Sequence, residues 1–413
     1  MPRCIAAVIP PSHDKLFANQ CNMRSRKISG FSCAALALWF LCVVIVCIAA
    51  YQRPGSHSAF SAYRDAGVAW TRQTQIYQTA KSAFLYSPLI AAFYSPFAFV
   101  AQNLSEALWR LLLGVTLPLS LWLNARKLFD FSKNEFACLV LLVLPLTLSN
   151  LHNGQANLLV LVLFLVATAA ALQSQWWTCA FSASLTVYWK MYPVVFVLML
   201  TAIFPKKLTL RMFLALLGLF VISLILQKPS YVLGEYASWL LHLASDRRRA
   251  TEYYGKWRDF YLLLRLTGIA ISAMWWKVME VITALIAVAI CILGRMWRWP
   301  PVTLVFGALS LAVIWILLFG PATEAATYTL IAAPSAYLLI FGWREACDMA
   351  LRTTATLTYL GFVASDIVNS WFHIKQDVYL VHAIQPCFAL CFSVALFLWW
   401  KRRIGQVSMP ASS

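Results

Sequence analysis

The chain has 413 residues, 62% of them hydrophobic and only 12% charged, with a mean hydropathy of +0.72; a soluble domain carries roughly 25% charged residues. That composition excludes a soluble globular protein and defines an integral membrane protein. The 33 Lys and Arg against 15 Asp and Glu leave a formal net charge of +18, and where those cations fall sets the topology.

The first 30 residues are polar and weakly basic, end in Arg24, Arg26 and Lys27, and read as a cytoplasmic tail. The apolar run 31–51 is too long for the h-region of a cleaved signal and lacks an evident cleavage site, so it is predicted to remain as the first span. Apolar runs of about 20 residues recur as far as Trp400, each enough to carry a helix across about 30 Å of hydrocarbon. They lack the dyad alternation of a membrane barrel, so helices must satisfy the backbone. The fold class is therefore all-α and polytopic, with about 12 transmembrane helices. They are drawn at 31–51, 104–124, 135–150, 156–173, 176–189, 191–205, 209–227, 272–294, 301–319, 325–342, 353–372 and 379–400. Residues 31–400 then form one membrane domain, and 401–413, opening with Lys401, Arg402 and Arg403, form a second cytoplasmic tail. Just over half of the basic residues fall on inner segments, as the charge rule requires. The rest lie on the outer side in excess of that rule, which points to an anionic ligand there.

Between the first two spans, the run 84–99 is apolar but broken by Pro88 and Pro96. Proline removes a donor and clashes with the preceding turn, so this segment is predicted to be re-entrant or interfacial. It belongs to the first of two large extracytoplasmic loops, about 52–103, which also holds Arg64 and Asp65. The second, about 228–271, interleaves Arg247, Arg248, Arg249, Lys256, Arg258 and Arg265 with Tyr253, Tyr254, Trp257, Phe260 and Tyr261. Arginine forks match phosphate oxygens and aromatics anchor at interfaces, so the pattern suits a lipid phosphate headgroup or a solvated loop with an aromatic belt. Nucleic acid is not an expected partner, because the basic loop lies outside the membrane and no nucleic-acid-binding fold accompanies it. Most of the 11 cysteines sit inside apolar runs without a CxxC pair or Cys/His cluster, and read as small buried hydrophobes.

Two polar interruptions stand out, NGQAN at 153–157 and the Lys190-Met-Tyr-Pro193 junction. His152, Asn153, Gln155 and Asn157 are suited to sugar hydroxyls or a phosphate, although Asn153-Gly154 is also a good helix-start turn. Lys190 stands between short apolar runs, where an ionisable group is costly enough to imply a function, with snorkelling to the outer interface as the alternative. Tyr86 and Tyr192 are placed to line the same cavity. Glu324, at the outer end of a span, is a candidate acid. His373 and Asp377, in the last outer loop, read as solvated.

Five elements come in a fixed order: Asp65 in the first outer loop, FLYSPL at 84–89, NGQAN, the Lys190 to Pro193 junction, and the turn GPATEAATYTLIAAP at 320–334. Together they resemble glycosyltransferase family 87 over about residues 60–335. These are polyprenyl-phosphate-sugar-dependent transferases of the GT-C fold that include mycobacterial mannosyltransferases. Here Glu324 and Ala326 stand where an aromatic residue or His is common in the family, and RDFYLLLR stands where Asn-Gln-Ser is frequent. The resemblance implies a lipid-linked sugar donor, mannose being the commonest, a glycolipid or glycan acceptor, and a site on the outer face of the plasma (inner) membrane.

It also implies that Asp65 is the general base, with Glu324 as alternative base or sugar-binding acid. Such a transfer needs cations for the departing phosphate; Lys190 with one or more of Arg247, Arg248, Arg249, Arg258 and Arg265 would supply them. No cofactor or metal is expected, since no Asp-x-Asp pair is present to hold a nucleotide sugar through Mg²⁺. A single displacement would invert the anomeric carbon. The competing expectation is a lipid-linked sugar transporter or flippase, which twelve spans and broken helices also fit, although no internal repeat is evident. A non-catalytic scaffold would leave Asp65 and Lys190 without a role.

Overall fold

The computed structural model describes residues 30–77, 84–245, 257–321, 323–344, 348–371 and 379–408. All regular structure among the described residues is helical. The first span is α1, Gly30–Gln52, followed in the first large loop by α2, Phe60–Arg72, and α3, Pro88–Tyr94. Next come α4, Gln102–Lys127; α5, Lys133–His152; α6, Asn157–Leu172; α7, Trp176–Trp189; α8, Val194–Ile203; and α9, Pro205–Leu226. The second large loop carries α10, Pro229–Ser245, and α11, Phe260–Leu266. The remaining helices are α12, Ala273–Met296; α13, Pro301–Phe319; α14, Ala332–Arg344; α15, Met349–Trp371; and α16, Tyr379–Ser408.

A helix stands at each of the twelve drawn spans. Eight of them, counting the 3₁₀ turn Ala325–Ile331 with α14, are long and apolar enough to cross a membrane. The 16, 14 and 10 residues of α6, α7 and α8 are shorter than the roughly 20 that a crossing needs. Burial accommodates α6, whereas α7 and α8 keep Trp177, Phe181 and Leu198 exposed. Nearly every side chain of α6 is enclosed, so it is sheathed by other helices rather than by lipid.

The prolines of 84–99 act as expected. Pro88 starts a helix of 7 residues, and Ser95–Phe99 continues as a 3₁₀ turn of 5. At about 1.5 Å per residue this element is far too short to span.

Local sequence sets many of the boundaries. Ser132 and Glu135 form a reciprocal capping box at the start of α5. Pro205 and Pro301 open α9 and α13, where a missing N–H costs nothing. Packing then fixes the helices against one another. Gly114 of α4 lets α1 approach so closely that a Cβ there would come within 2.6 Å of Val43, and Trp39 donates its indole N–H to the Gly114 carbonyl at 2.7 Å.

The helix ends sort onto two sides. At one end lie the basic junctions, where Arg295 donates to the Ala202 carbonyl at 2.9 Å and Arg344 to that of Phe129 at 3.5 Å. At the other, the two large loops reach the junctions between spans. Ala59 N–H donates to Asn153, Ser87 N–H to Tyr188 and Arg258 N–H to Thr323, at 2.9, 3.1 and 2.9 Å. Tyr231 donates its hydroxyl to the Thr74 carbonyl at 2.8 Å and Ile76 N–H donates to Glu235 Oε2 at 3.0 Å, which joins the two loops directly.

Candidate active site

NGQAN turns out to close the preceding helix rather than to start the next one. Gln155 N–H donates to the Asn150 carbonyl and Gly154 N–H to that of Leu151, a Schellman arrangement with glycine at the left-handed position, φ +60°. The helix-start reading of Asn153-Gly154 is thereby corrected: α6 is preceded by Ala156, whose side chain makes no cap. The physical reason is the carbonyl array left at the end of α5, which glycine satisfies best. A Cβ on Gly154 would also lie 3.3 Å from both Arg110 and Trp109. Gly154→Ala is therefore expected to cost about 1–2 kcal/mol, read as a lowered thermal midpoint in detergent.

Around this turn lies an ion pair with no counterpart among the candidates read from sequence. Glu106 and Arg110, on successive turns of α4, are 1% and 2% exposed and contact each other directly. Arg110 donates through Nε and Nη2 to the His152 carbonyl at 2.9 and 2.7 Å. Glu106 accepts from Gly55 N–H, Ser58 Oγ and Ser61 Oγ at 3.2, 2.7 and 3.3 Å. Two opposite charges four residues apart inside an apolar run were the available signal. The pair fastens the first large loop to the end of α5, and His152 is exposed there while Asn153 is half-buried.

With the cap made by the backbone, Asn157 is free to act elsewhere. It is 3% exposed, and its Oδ1 accepts from the Lys190 ammonium at 2.6 Å. Lys190 follows α7 as its cap in extended conformation, φ −152° and ψ 135°. Its Nζ lies 5.3 Å from the Tyr192 ring centroid. The two polar interruptions are thus one site.

The first loop adds tyrosines to it. The Tyr63 and Tyr86 hydroxyls are 2.9 Å apart, and Tyr63 donates to Gln155 Oε1 at 3.4 Å. Burial pushes the Tyr63 phenol up to about 12, opposed by its bond to Tyr86 and assisted by the negative field of Glu324. Tyr63 therefore remains a neutral donor, and Glu324, which is exposed, lies within its electrostatic reach.

Asp65 occupies the exposed side of α2, opposite the packed face of Phe60, Tyr63, Gly67 and Trp70. Arg64 is committed to the Val100 carbonyl at 3.2 Å and makes no ion pair with Asp65 among the described residues.

The second loop delivers Arg258. Its backbone is gripped by the late turn, N–H to Thr323 and carbonyl to the Tyr328 hydroxyl at 2.7 Å. The guanidinium is buried and donates to Gln385 Oε1 at 2.9 Å; Gln385 in turn donates to Asp366 at 3.5 Å. Burial pulls Arg258 below its ordinary range, while Tyr328, Asp366 and Glu324 hold it charged. His382 is buried beside this group, with no hydrogen-bond partner among the described residues. Asp366, His382 and Gln385 were missed by the sequence reading, although ionisable groups inside drawn spans would have flagged the first two. Arg265 lies on the exposed side of α11, 5.8 Å from the Tyr261 ring. Arg247, Arg248, Arg249, Lys256, His373 and Asp377 lie outside the described residues.

Helices and site together define a multi-pass membrane protein with acids, amides, tyrosines and cations assembled where both large loops meet the span junctions. The model of glycosyltransferase family 87 matches residues 84–365, and the chain belongs to that family; it is a glycosyltransferase. The match takes in Asn157, Lys190, Arg258 and Glu324 and begins after Asp65. The crystal structure of ArnT from Cupriavidus metallidurans bound to undecaprenyl phosphate is similar at 13% identity and a TM-score of 0.38, over 90% of this chain and 78% of that one. No curated protein matches the chain.

Proposed function

We propose that this glycosyltransferase moves a hexose, mannose first among the candidates, from a polyprenyl-phosphate donor to a glycolipid or glycan acceptor of the cell envelope. The reaction is placed on the extracytoplasmic face of the plasma membrane. The observation that carries this reading is the Lys190–Asn157 contact at 2.6 Å, which holds a cation beside the junctions that both outer loops reach. The basic residues at the opposite end favour that end as cytoplasmic.

In this mechanism the acceptor hydroxyl attacks the anomeric carbon as the bond to the phosphate oxygen breaks. Asp65 takes the hydroxyl proton, and Lys190, oriented by Asn157 and Tyr192, stabilises the charge that grows on the departing polyprenyl phosphate. Gln155, Tyr63 and Tyr86 offer hydrogen bonds to sugar hydroxyls, and Arg258 adds positive potential near Glu324. One displacement inverts the anomeric configuration. A retained configuration in the product would rule out this one-base scheme.

The test supplies a radiolabelled polyprenyl-phosphate hexose to the purified protein in detergent and compares wild type with Asp65→Asn. Equal transfer by both sinks the base assignment, and no transfer from any lipid-phosphate hexose sinks the donor class. Lys190→Met is expected to lower kcat/KM about 10- to 150-fold, the worth of a hydrogen bond to a charged group at about 1.5–3 kcal/mol. Transfer is expected to persist in EDTA, because Lys190 supplies the charge that a metal would otherwise provide; loss of activity reversed by Mg²⁺ would contradict this.

A further inference from the structure

The basic end of the molecule holds a second built feature, away from the transfer site. Phe129 of the connection between α4 and α5 packs edge-on against Phe306 at 5.6 Å, and Phe306 against Trp399 at 4.8 Å. Phe341, 6.2 Å from Trp399, completes an aromatic floor.

Two arginines rim that floor. The Arg403 guanidinium lies 4.5 Å from the Phe341 ring centroid and 6.0 Å from that of Trp399. Arg344 lies 5.8 Å from Phe341 and 5.8 Å from Phe131. Both cations therefore share one ring and stand within about 10 Å of each other, a separation over which salt screens them only partly.

Their compensation is incomplete. Arg344 faces Glu135 at 3.6 Å, with both side chains partly exposed. Arg403 has no carboxylate partner among the described residues, and its Nε is shielded from solvent without an acceptor. The Tyr337 hydroxyl is the polar neighbour of this guanidinium within the protein, and the Nε–H still calls for an acceptor, a water or an anion.

Depth identifies the supplier. Arg344 is the last residue of the span Ala325–Arg344, and Arg403 the next-to-last of Val381–Ile404, so both stand at headgroup level. An arginine fork matches a phosphate in two places, and basic clefts between spans at that level hold anionic lipid headgroups. We infer that the arginine pair at the ends of α14 and α16, Arg344 and Arg403 over the buried rings of Phe341 and Trp399, binds the phosphate of an anionic glycerophospholipid.

The test is native mass spectrometry of the full chain in detergent, titrated with phosphatidylglycerol or phosphatidylcholine of matched tails. Wild type is expected to prefer phosphatidylglycerol, and Arg344→Gln/Arg403→Gln to bind it about thirtyfold more weakly. Lys206→Gln/Lys207→Gln, which removes two exposed charges elsewhere on that end, is expected to bind as wild type does. Equal loss in both double variants would reduce the effect to diffuse charge and overturn the site, as would equal binding of the two lipids. Displacement by glycerol 3-phosphate at lipid concentrations would make it a soluble-phosphate site and overturn the lipid assignment. Should the double arginine variant fail to fold, Arg403→Lys keeps the charge and loses the fork; unchanged binding by that variant overturns the site equally.

Discussion

Asp65→Asn is expected to lower kcat for hexosyl transfer by about 10²–10⁴, the usual worth of a positioned general base, while the fold is kept. The argument rests on the isolation of the carboxylate. Asp65 is exposed on α2, and Arg64, the nearest cation in sequence, spends its guanidinium on the Val100 carbonyl. The amide replaces the carboxylate almost atom for atom, so stability should stay within about 0.5 kcal/mol, as for most surface substitutions. The catalytic loss should then appear in kcat, with KM for the lipid donor little changed, because the base acts in the transition state. Single-turnover transfer measured beside a thermal melt separates the two. A large fall in melting temperature together with a raised donor KM would assign Asp65 to structure or donor binding instead.

Arg110→Met is expected to destabilise the protein by about 3–5 kcal/mol, because it leaves the Glu106 carboxylate buried without its cation. Glu106 is 1% exposed, and its remaining donors, Gly55 N–H, Ser58 and Ser61, cannot neutralise it. The His152 carbonyl loses two donors at the same time. Adding Glu106→Gln to Arg110→Met removes the stranded charge, so the double variant should recover much of the loss. Denaturant titrations of both singles and the double give the coupling energy. Additive losses would mean that the pair is not coupled. The damage should also reach the site, since this clasp holds the first loop on the turn from which Asn157 projects.

Much of this was legible in the chain. Composition and hydropathy defined a polytopic helical protein, because a bilayer admits few other solutions for the backbone. The broken run 84–99 was recognisable from two prolines, since the constraint that proline imposes is local. NGQAN and the Lys190 junction were visible as polar groups where apolar ones were expected. The family resemblance drawn from those motifs is shown by the match over residues 84–365, which sets the transporter alternative aside.

What the sequence alone determined, then, was helices, boundaries and unusual residues, all governed by interactions within a few positions of the chain. Tertiary structure decided which of them meet. That Asn157 receives Lys190, 33 positions later, depends on the packing of α6 against α7. That Asn153-Gly154 ends α5 depends on which carbonyls remain to be satisfied, and on the space left beside Trp109 and Arg110. Arg258 found Gln385 at a separation of 127 residues. No local pattern encodes such a pair, because burial in a shared interior, rather than spacing along the chain, makes each partner necessary to the other.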